Sequence, residues 1–374
     1  VSTDRDHGGP DGSERSGTGE PIRVGLLTSV GRTLDAFFPP IVDRLTELGF
    51  AVTCASGTAS SLPGWTPLEG FTQRPSRGVR TALRSVRRWS AAQRHDVVVT
   101  NTATASALVR VAGLRAPVVY FCHGLHWGRD DARALPWKAV ERALLPRTAG
   151  VVTINRDDQA WFERHGARSV HRLATGVGVP LEQWPAAPLP ASDTLDLLWA
   201  GDMTPRKRPL QAVAVVARLV DLGVPVRLRM LGDGPLHEAV RAEVAARGLG
   251  DVVRAEGRGP VSAALGEATA LLHTASWEGL PRVALEAAAV GRWCYGFDVK
   301  GLRDAPLVRL APDGDLEALS RLLAADAASG AVRGVPDVRA ALDATTAADG
   351  LADALLDVLG RRAHRPGTRV PPPA

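Results

Sequence analysis

Short apolar runs alternate with amphipathic stretches along this chain, and the alternation plays through twice. In the first half "IRVGLLTS" precedes "LDAFFPPIVDRLTELGF" and "AVTCAS" follows, while "DVVVTN", "APVVYFCHG" and "AGVVTIN" each lead into a helical pattern. After about residue 190 the pattern restarts. "LDLLWAG", "VRLRMLG", "VVRAEG", "ALLHTAS" and "RWCYGF" read as strands, with "PLQAVAVVARLVDLG" and "LHEAVRAEVAARGLG" as helices between them. Strands separated by helices imply parallel sheets covered on both faces. Between the two halves, Pro180 to Thr194 carries four prolines and no periodicity, which suits a linker. A chain of 374 residues has length for two cores. The expectation is an α/β protein of two Rossmann-like domains facing each other across a cleft. In such sheets ligands sit at the carboxyl ends of the strands.

The remainder narrows the class. Residues 1–21 hold one large apolar residue, Val1, and lack the apolar core of a signal peptide; they and residues 363–374 are expected to be disordered tails. No run of about 18 apolar residues occurs, so no membrane span is expected. Cys54, Cys122 and Cys294 lie far apart, a pattern that suits buried thiols in a reducing cytoplasm. The net charge is +5, but the basic residues do not interleave with aromatics as in a nucleic-acid module. Nucleic acid is not an expected partner.

Three strand-end loops carry the chemistry. "GDMTPRKRP", Gly201 to Pro209, brings Arg206, Lys207 and Arg208 to a helix N-terminus, where amides and the helix dipole already favour an anion such as a diphosphate; a solvated basic loop would read the same. "LGDGP", Leu231 to Pro235, is a glycine turn that by itself marks only a tight connection. "SWEGLPRVALE" places Glu278 before a helix and Glu286 two turns inside it, with Pro281 at the helix start. Two glutamates framing a phosphate-ready turn suit a nucleotide-sugar, one accepting bonds from ribose hydroxyls and the other from the sugar.

These motifs, in this order, resemble glycosyltransferase family 4, the retaining enzymes of the two-domain GT-B fold. Among them the likeness is greatest to enzymes of capsular and exopolysaccharide synthesis. The second half is similar through Gly201 and Lys207, "LGDGP", "SWEGLPRVALEAAAVG" and "FDVKGLRD". The first half is similar through "LLTSVGRTLDAFFPPIVDRLTELGFAVT", "YFCHGLHWG", "ERALLPRTAGVVTINRDD" and "LATGVGVP". The resemblance implies an acceptor-side domain over residues 22–190, a nucleotide-sugar domain over 191–345, and a helix at 346–362 packing back on the first domain.

It also implies roles. Glu286 binds the ribose, and Glu278 lies near the donor sugar, lined by the backbone of Gly279 and Leu280. Lys207 neutralises the diphosphate beside Gly201 and Arg206, and His123 approaches the sugar from the other domain; a structural strand-end histidine is the alternative. His126 has no family match and is expected to be structural. Where the family usually has arginine directly after the loop glycine, this chain has Asp202, leaving Arg206, Arg208 or Arg303 to supply a second cation. Neither a metal nor another cofactor is expected.

The expected reaction moves a hexose or N-acetylhexosamine from a nucleotide sugar, a UDP-sugar for preference, to a lipid-linked or other glycan intermediate in the cytoplasm. A soluble natural-product acceptor, a sugar-nucleotide epimerase and a non-catalytic sugar-nucleotide binder are the alternatives. Arg74 to Arg94 carries seven arginines, and Arg77, Arg80, Arg84 and Arg88 fall on one helical face near Leu83, Val86 and Trp89. Such a helix suits peripheral contact with an anionic membrane, or a plain solvated face.

Overall fold

The computed structural model describes residues 20–72, 78–127 and 134–360; most of both expected tails, and Arg77, lie outside them. Two wholly parallel sheets form the framework. The first contains β1 (Ile22–Thr28), β2 (Phe50–Ser56), β3 (Thr66–Pro67), β4 (Val97–Asn101), β5 (Val118–Cys122), β6 (Gly150–Thr153) and β7 (Val170–Arg172), in the order β3-β2-β1-β4-β5-β6-β7. Between its strands run α1 (Gly31–Phe37), α2 (Pro39–Glu47), α3 (Val79–Gln93), α4 (Ala103–Ala112), α5 (Leu135–Leu144) and α6 (Arg156–Arg164).

The second sheet contains β8 (Leu195–Ala200), β9 (Val226–Leu231), β10 (Val253–Gly257), β11 (Ala270–His273), β12 (Trp293–Phe297) and β13 (Val308–Ala311), in the order β10-β9-β8-β11-β12-β13. Its helices are α7 (Pro209–Asp221), α8 (His237–Ala246), α9 (Val261–Glu267), α10 (Arg282–Val290) and α11 (Leu316–Ser329), and α12 (Ala344–Val358) follows them.

Central strands are apolar on both faces because helices cover both. All five residues of β4 are buried, and β1 registers Val24 against Val97 on one side and Val52 on the other. Helix α7 shows the complementary pattern, burying Ala212, Val213, Val216 and Leu219 at helical spacing beneath Trp199 and Leu228. Each such Val or Leu contributes about 1.5–3 kcal/mol relative to exposure. Three strands escape the sequence pattern, namely β3, β7 and β13. They are short, at or near sheet edges, and mostly half-buried, so they lack the continuous apolar run that marks their neighbours.

Helix α12 returns to the first domain. Leu351, Ala352 and Leu355 join the core of Phe38, Ile41 and Leu45, and Asp349 accepts a 2.9 Å bond from Arg44 of α2. The chain therefore passes twice between the domains, which limits how they can separate.

Candidate active site

Each sheet reverses its strand order once, between β1 and β4 and between β8 and β11. Strand ends diverge at such points and leave a crevice. Here the two crevices face each other and merge into one cleft of ≈ 1220 Å³. Gly201, Arg206, Lys207, Glu278, Gly279, Leu280, Glu286 and His123 all line it.

On the second-domain wall, backbone bonds join two of the loops. Ser276 donates its N–H to the Arg206 carbonyl at 2.8 Å, and the Thr274 hydroxyl donates to the Lys207 and Arg208 carbonyls. The turn of Gly232 packs against them so tightly that a Cβ there would lie 1.9 Å from the Gly201 carbonyl oxygen. "LGDGP" is thus a close backbone contact as well as a turn.

This pinning brings charges together. Lys207 Nζ lies 2.5 Å from Glu278 Oε1, and an Arg206 guanidinium nitrogen lies 2.9 Å from Oε2. His273, buried at the end of β11, places Nε2 3.6 Å from Oε1. Burial by itself would raise the Glu278 carboxyl, but Lys207, His273 and Arg206 outweigh it and hold the group below its ordinary range. His273 is pushed down to about 4 by burial, with Lys207 adding to it, so its imidazole is neutral near pH 7.

Glu286 sits inside α10, whose first residue is Arg282; Pro281 is the residue before the helix rather than its first. Arg282 Nε lies 3.1 Å from the Glu286 carboxylate, and its Nη1 donates across the cleft to the Ala36 carbonyl at 2.7 Å. One cation does not offset burial here, and Glu286 rises to about 7.

The structure separates the three arginines left open by Asp202. Arg208 is paired with Asp313 at 2.5 Å, and Arg303 with Asp157 and Asp298. Arg206 alone of the three lines the cleft. Asp202 is exposed, 3.9 Å from Arg258, which also lines the cleft. Sequence reasoning passed over Arg258, although it follows β10 at the carboxyl edge where ligands sit. It passed over His273 and Arg282 too, since neither belongs to a charge cluster in the sequence.

On the first-domain wall, His123 follows β5 and packs among Phe37, Phe38 and Phe121, with ring centroids 6.0, 6.0 and 4.4 Å away. Burial lowers it to about 4, so it too is neutral near pH 7. His126, expected to be structural, is exposed instead and lines the cleft with its ring 6.0 Å from Trp277; the turn after His123 carries it out of the core.

The walls touch through glycines. A Cβ on Gly279 would lie 1.9 Å from the His123 carbonyl oxygen, and one on Gly124 would lie 2.6 Å from Gly279 Cα. Nearby, Asn155 caps α6 through the Asp158 N–H and donates to the Gly279 carbonyl at 2.8 Å. The half-buried Lys300 pairs with the buried Asp158 at 2.7 Å. These contacts hold the His123–Gly124 backbone against Gly279, the residue after Glu278.

Helix α3 bears directly on the arginine stripe. Arg80, Arg84 and Arg88 are exposed, but Val86 and Trp89 are buried in the domain core. The apolar half of this helix is therefore already used for packing. Among the described residues no helix is long and apolar enough to cross a membrane. Cys54, Cys122 and Cys294 are buried and free, and burial raises each thiol, Cys54 to about 12.

Comparisons with known proteins follow the same two-part division. The family model for group 1 glycosyl transferases matches residues 182–306, and that for the glycosyl transferase 4-like domain matches residues 38–178. Among solved structures, sucrose-phosphate synthase from Thermosynechococcus elongatus superposes with a TM-score of 0.73 at 16% identity, covering 90% of this chain and 99% of that one. Anabaena HepE in complex with UDP gives 0.71 at 14%, covering 90% and 100%. The lipopolysaccharide outer core galactosyltransferase WaaB gives 0.67 at 15%, covering 90% and 99%. No curated protein sequence matches the chain.

Proposed function

The chain belongs to the GT-B glycosyltransferases as a family 4-like enzyme, and from that premise we propose that it transfers a hexose or N-acetylhexosamine from a UDP-sugar, with retention, to a glycan intermediate of bacterial surface polysaccharide synthesis. The observation that carries this reading is the convergence of Lys207 and Arg206 on Glu278 in a cleft that also receives Glu286. Two cations beside two carboxylates suit a diphosphate flanked by a sugar and a ribose. The complexes of HepE with UDP and with UDP-glucose lend support to that choice of nucleotide.

In this reading the diphosphate takes over Lys207 and Arg206 and frees Glu278 to accept bonds from the sugar hydroxyls. Glu286 accepts from the ribose, and the amides of Gly279 and Leu280 line the sugar. As the bond from the anomeric carbon to the diphosphate oxygen breaks, positive charge develops on the ring. The acceptor hydroxyl attacks the same face, and its proton passes to the departing phosphate oxygen. Catalysis is then stabilisation of the leaving charge by cations already in place. His123, neutral, offers a hydrogen bond to the sugar without adding charge, and no metal takes part.

Product analysis tests this. With a UDP-sugar and an acceptor, in EDTA, nuclear magnetic resonance should show a product of the donor's own anomeric configuration. Glu286→Gln should weaken UDP binding by calorimetry, and Glu278→Gln should lower turnover. An inverted product, or conversion of the donor without any acceptor, would overturn the reading; the second outcome is what an epimerase gives.

A further inference from the structure

Lys300 joins the two walls of the cleft. It stands just past β12, where its carbonyl accepts the Glu278 N–H at 2.9 Å. Gly301 after it packs so closely that a Cβ there would lie 2.4 Å from the Glu278 carbonyl oxygen. The Lys300 side chain crosses to the other domain. Its Nζ donates to the carbonyls of Leu125 at 2.6 Å and Trp127 at 3.2 Å, and lies 2.7 Å from Asp158 Oδ1. A lysine has three N–H donors and no acceptor, and these three oxygens take them all.

Asp158 grips the same loop through its other oxygen. Oδ2 accepts the Leu125 N–H at 3.0 Å and the Asn155 side-chain amide at 2.8 Å, and that amide also donates to the Gly279 carbonyl. One ion pair, with a partner from each domain, therefore holds Leu125 by both its N–H and its carbonyl. Leu125 stands between His123 and His126, both of which line the cleft, and Gly124 makes the turn between them at a φ of +118°. Lys300 is not among the described residues that line the cleft, so its reach into the site is through this loop. A pair that only fastened the domains together would need no carbonyl from it. We propose that Lys300 is a positioning residue for transfer, clamping the His123–Trp127 loop against Glu278 so that histidine and carboxylate meet the sugar in register. The inference rests on the glycosyltransferase reading and adds to it a residue that acts without touching substrate.

The test compares Lys300→Met with Lys300→Met combined with Asp158→Asn, each in the full chain. The single variant leaves a buried carboxylate without its cation, which destabilises by itself; the double variant removes that stranded charge and keeps an acceptor for the Leu125 N–H. Arg206, Lys207 and Glu286 are untouched, so calorimetry should find UDP affinity close to wild type in both. Turnover with a UDP-sugar and acceptor should fall by roughly ten- to a hundredfold in both, as it does when a reacting group is slightly misplaced. The double variant should melt near wild type while its turnover stays low, a combination that a purely structural pair does not give. It also decides the matter if the single variant fails to fold. His126 supplies a second readout. Loss of water in the cleft lowers its imidazole, the charges of Lys300 and Arg206 add to that, and Asp158 opposes them. Its titration midpoint, followed by nuclear magnetic resonance on histidine-labelled protein, should therefore rise in Lys300→Met. Wild-type turnover in the double variant, or an unchanged His126 midpoint in the single one, would overturn the proposal. Failure of UDP to bind the wild-type protein, with the His126 midpoint still moved by Lys300→Met, would strike the donor reading and leave the clamp on the loop standing.

Discussion

The two walls of the cleft are built on opposite principles. The second-domain wall is a set of paired charges held by backbone contacts, with Lys207 and Arg206 on Glu278 and Arg282 on Glu286. The first-domain wall offers a neutral histidine, an internally paired Arg110 and Glu141, and the apolar side chains of Trp137 and Val140. In the proposed reaction the charged wall would meet the leaving diphosphate, and the neutral wall would face it across the cleft. Within the charged wall a finer contrast isolates the cause. Glu278 and Glu286 are 8% and 9% exposed, yet one carboxyl is lowered and the other raised. Equal burial imposes a similar penalty on both; the difference is two cations and a histidine against one cation.

The strongest way to break the contrast is to remove charge from the charged wall. Lys207→Ala takes away the cation nearest Glu278 and leaves Arg206 alone to face the diphosphate. Losing one preorganised group that stabilises leaving charge costs about 10²–10³ in turnover, or ~3–4 kcal/mol. Initial rates at saturating donor should show that fall. Rates within threefold of wild type would mean that the diphosphate does not sit on this pair, and the two walls would lose their assigned roles.

The next effect sharpens the contrast between the glutamates. Glu286 is raised from 4.5 to about 7 in the folded protein. Between those values the unfolded chain has released this proton and the folded chain still holds it. Its contribution to stability is therefore present below about pH 4.5 and lost as pH rises through about 7, by on the order of 3 kcal/mol. Glu278 runs the other way: its folded carboxyl is lowered, so its contribution is present in neutral solution and lost on acidification. Thermal melts at about pH 5 and about pH 7.5 should show Glu286→Gln gaining on wild type as pH rises. A constant difference between the two proteins would mean that Glu286 ionises as a solvated carboxylate does.

How legible each wall was in the sequence follows from the same physics. The grouping of charges on the second-domain wall was legible because Arg206, Lys207 and Glu278 stand in short local motifs at strand ends, and the structure brings them together. The neutral wall was not. Trp137 and Val140 look in sequence like core residues of an amphipathic helix, and only the packing of α5 shows that they face out. Arg110 and Glu141 are 31 residues apart, and no spacing rule joins them. His126 sits three residues from His123, yet a single turn sends one ring among phenylalanines and the other into the cleft. The double-sheet architecture was readable because central strands are apolar throughout. β7 and β13 were not, because three or four half-buried residues leave no such run.

The smallest expected effect concerns Asp202, an acidic side chain on the cationic wall. It is exposed and 3.9 Å from Arg258, so water screens both its repulsion of a diphosphate and its hold on that arginine. Arg206 already faces the cleft beside Lys207, and a further cation at the rim adds little to two at the floor. Asp202→Arg should therefore tighten UDP by only about two- to fivefold in low salt, and the gain should vanish at about 0.5 M salt as the Debye length shrinks. A gain well above tenfold that survives salt would mean that the floor lacks its second cation and that Arg206 is held by Glu278 even when donor is bound. Weaker binding would carry a different lesson: Asp202 would then be the residue that keeps Arg258 turned into the cleft, and the acidic side chain would assist the nucleotide by positioning a cation it does not itself supply.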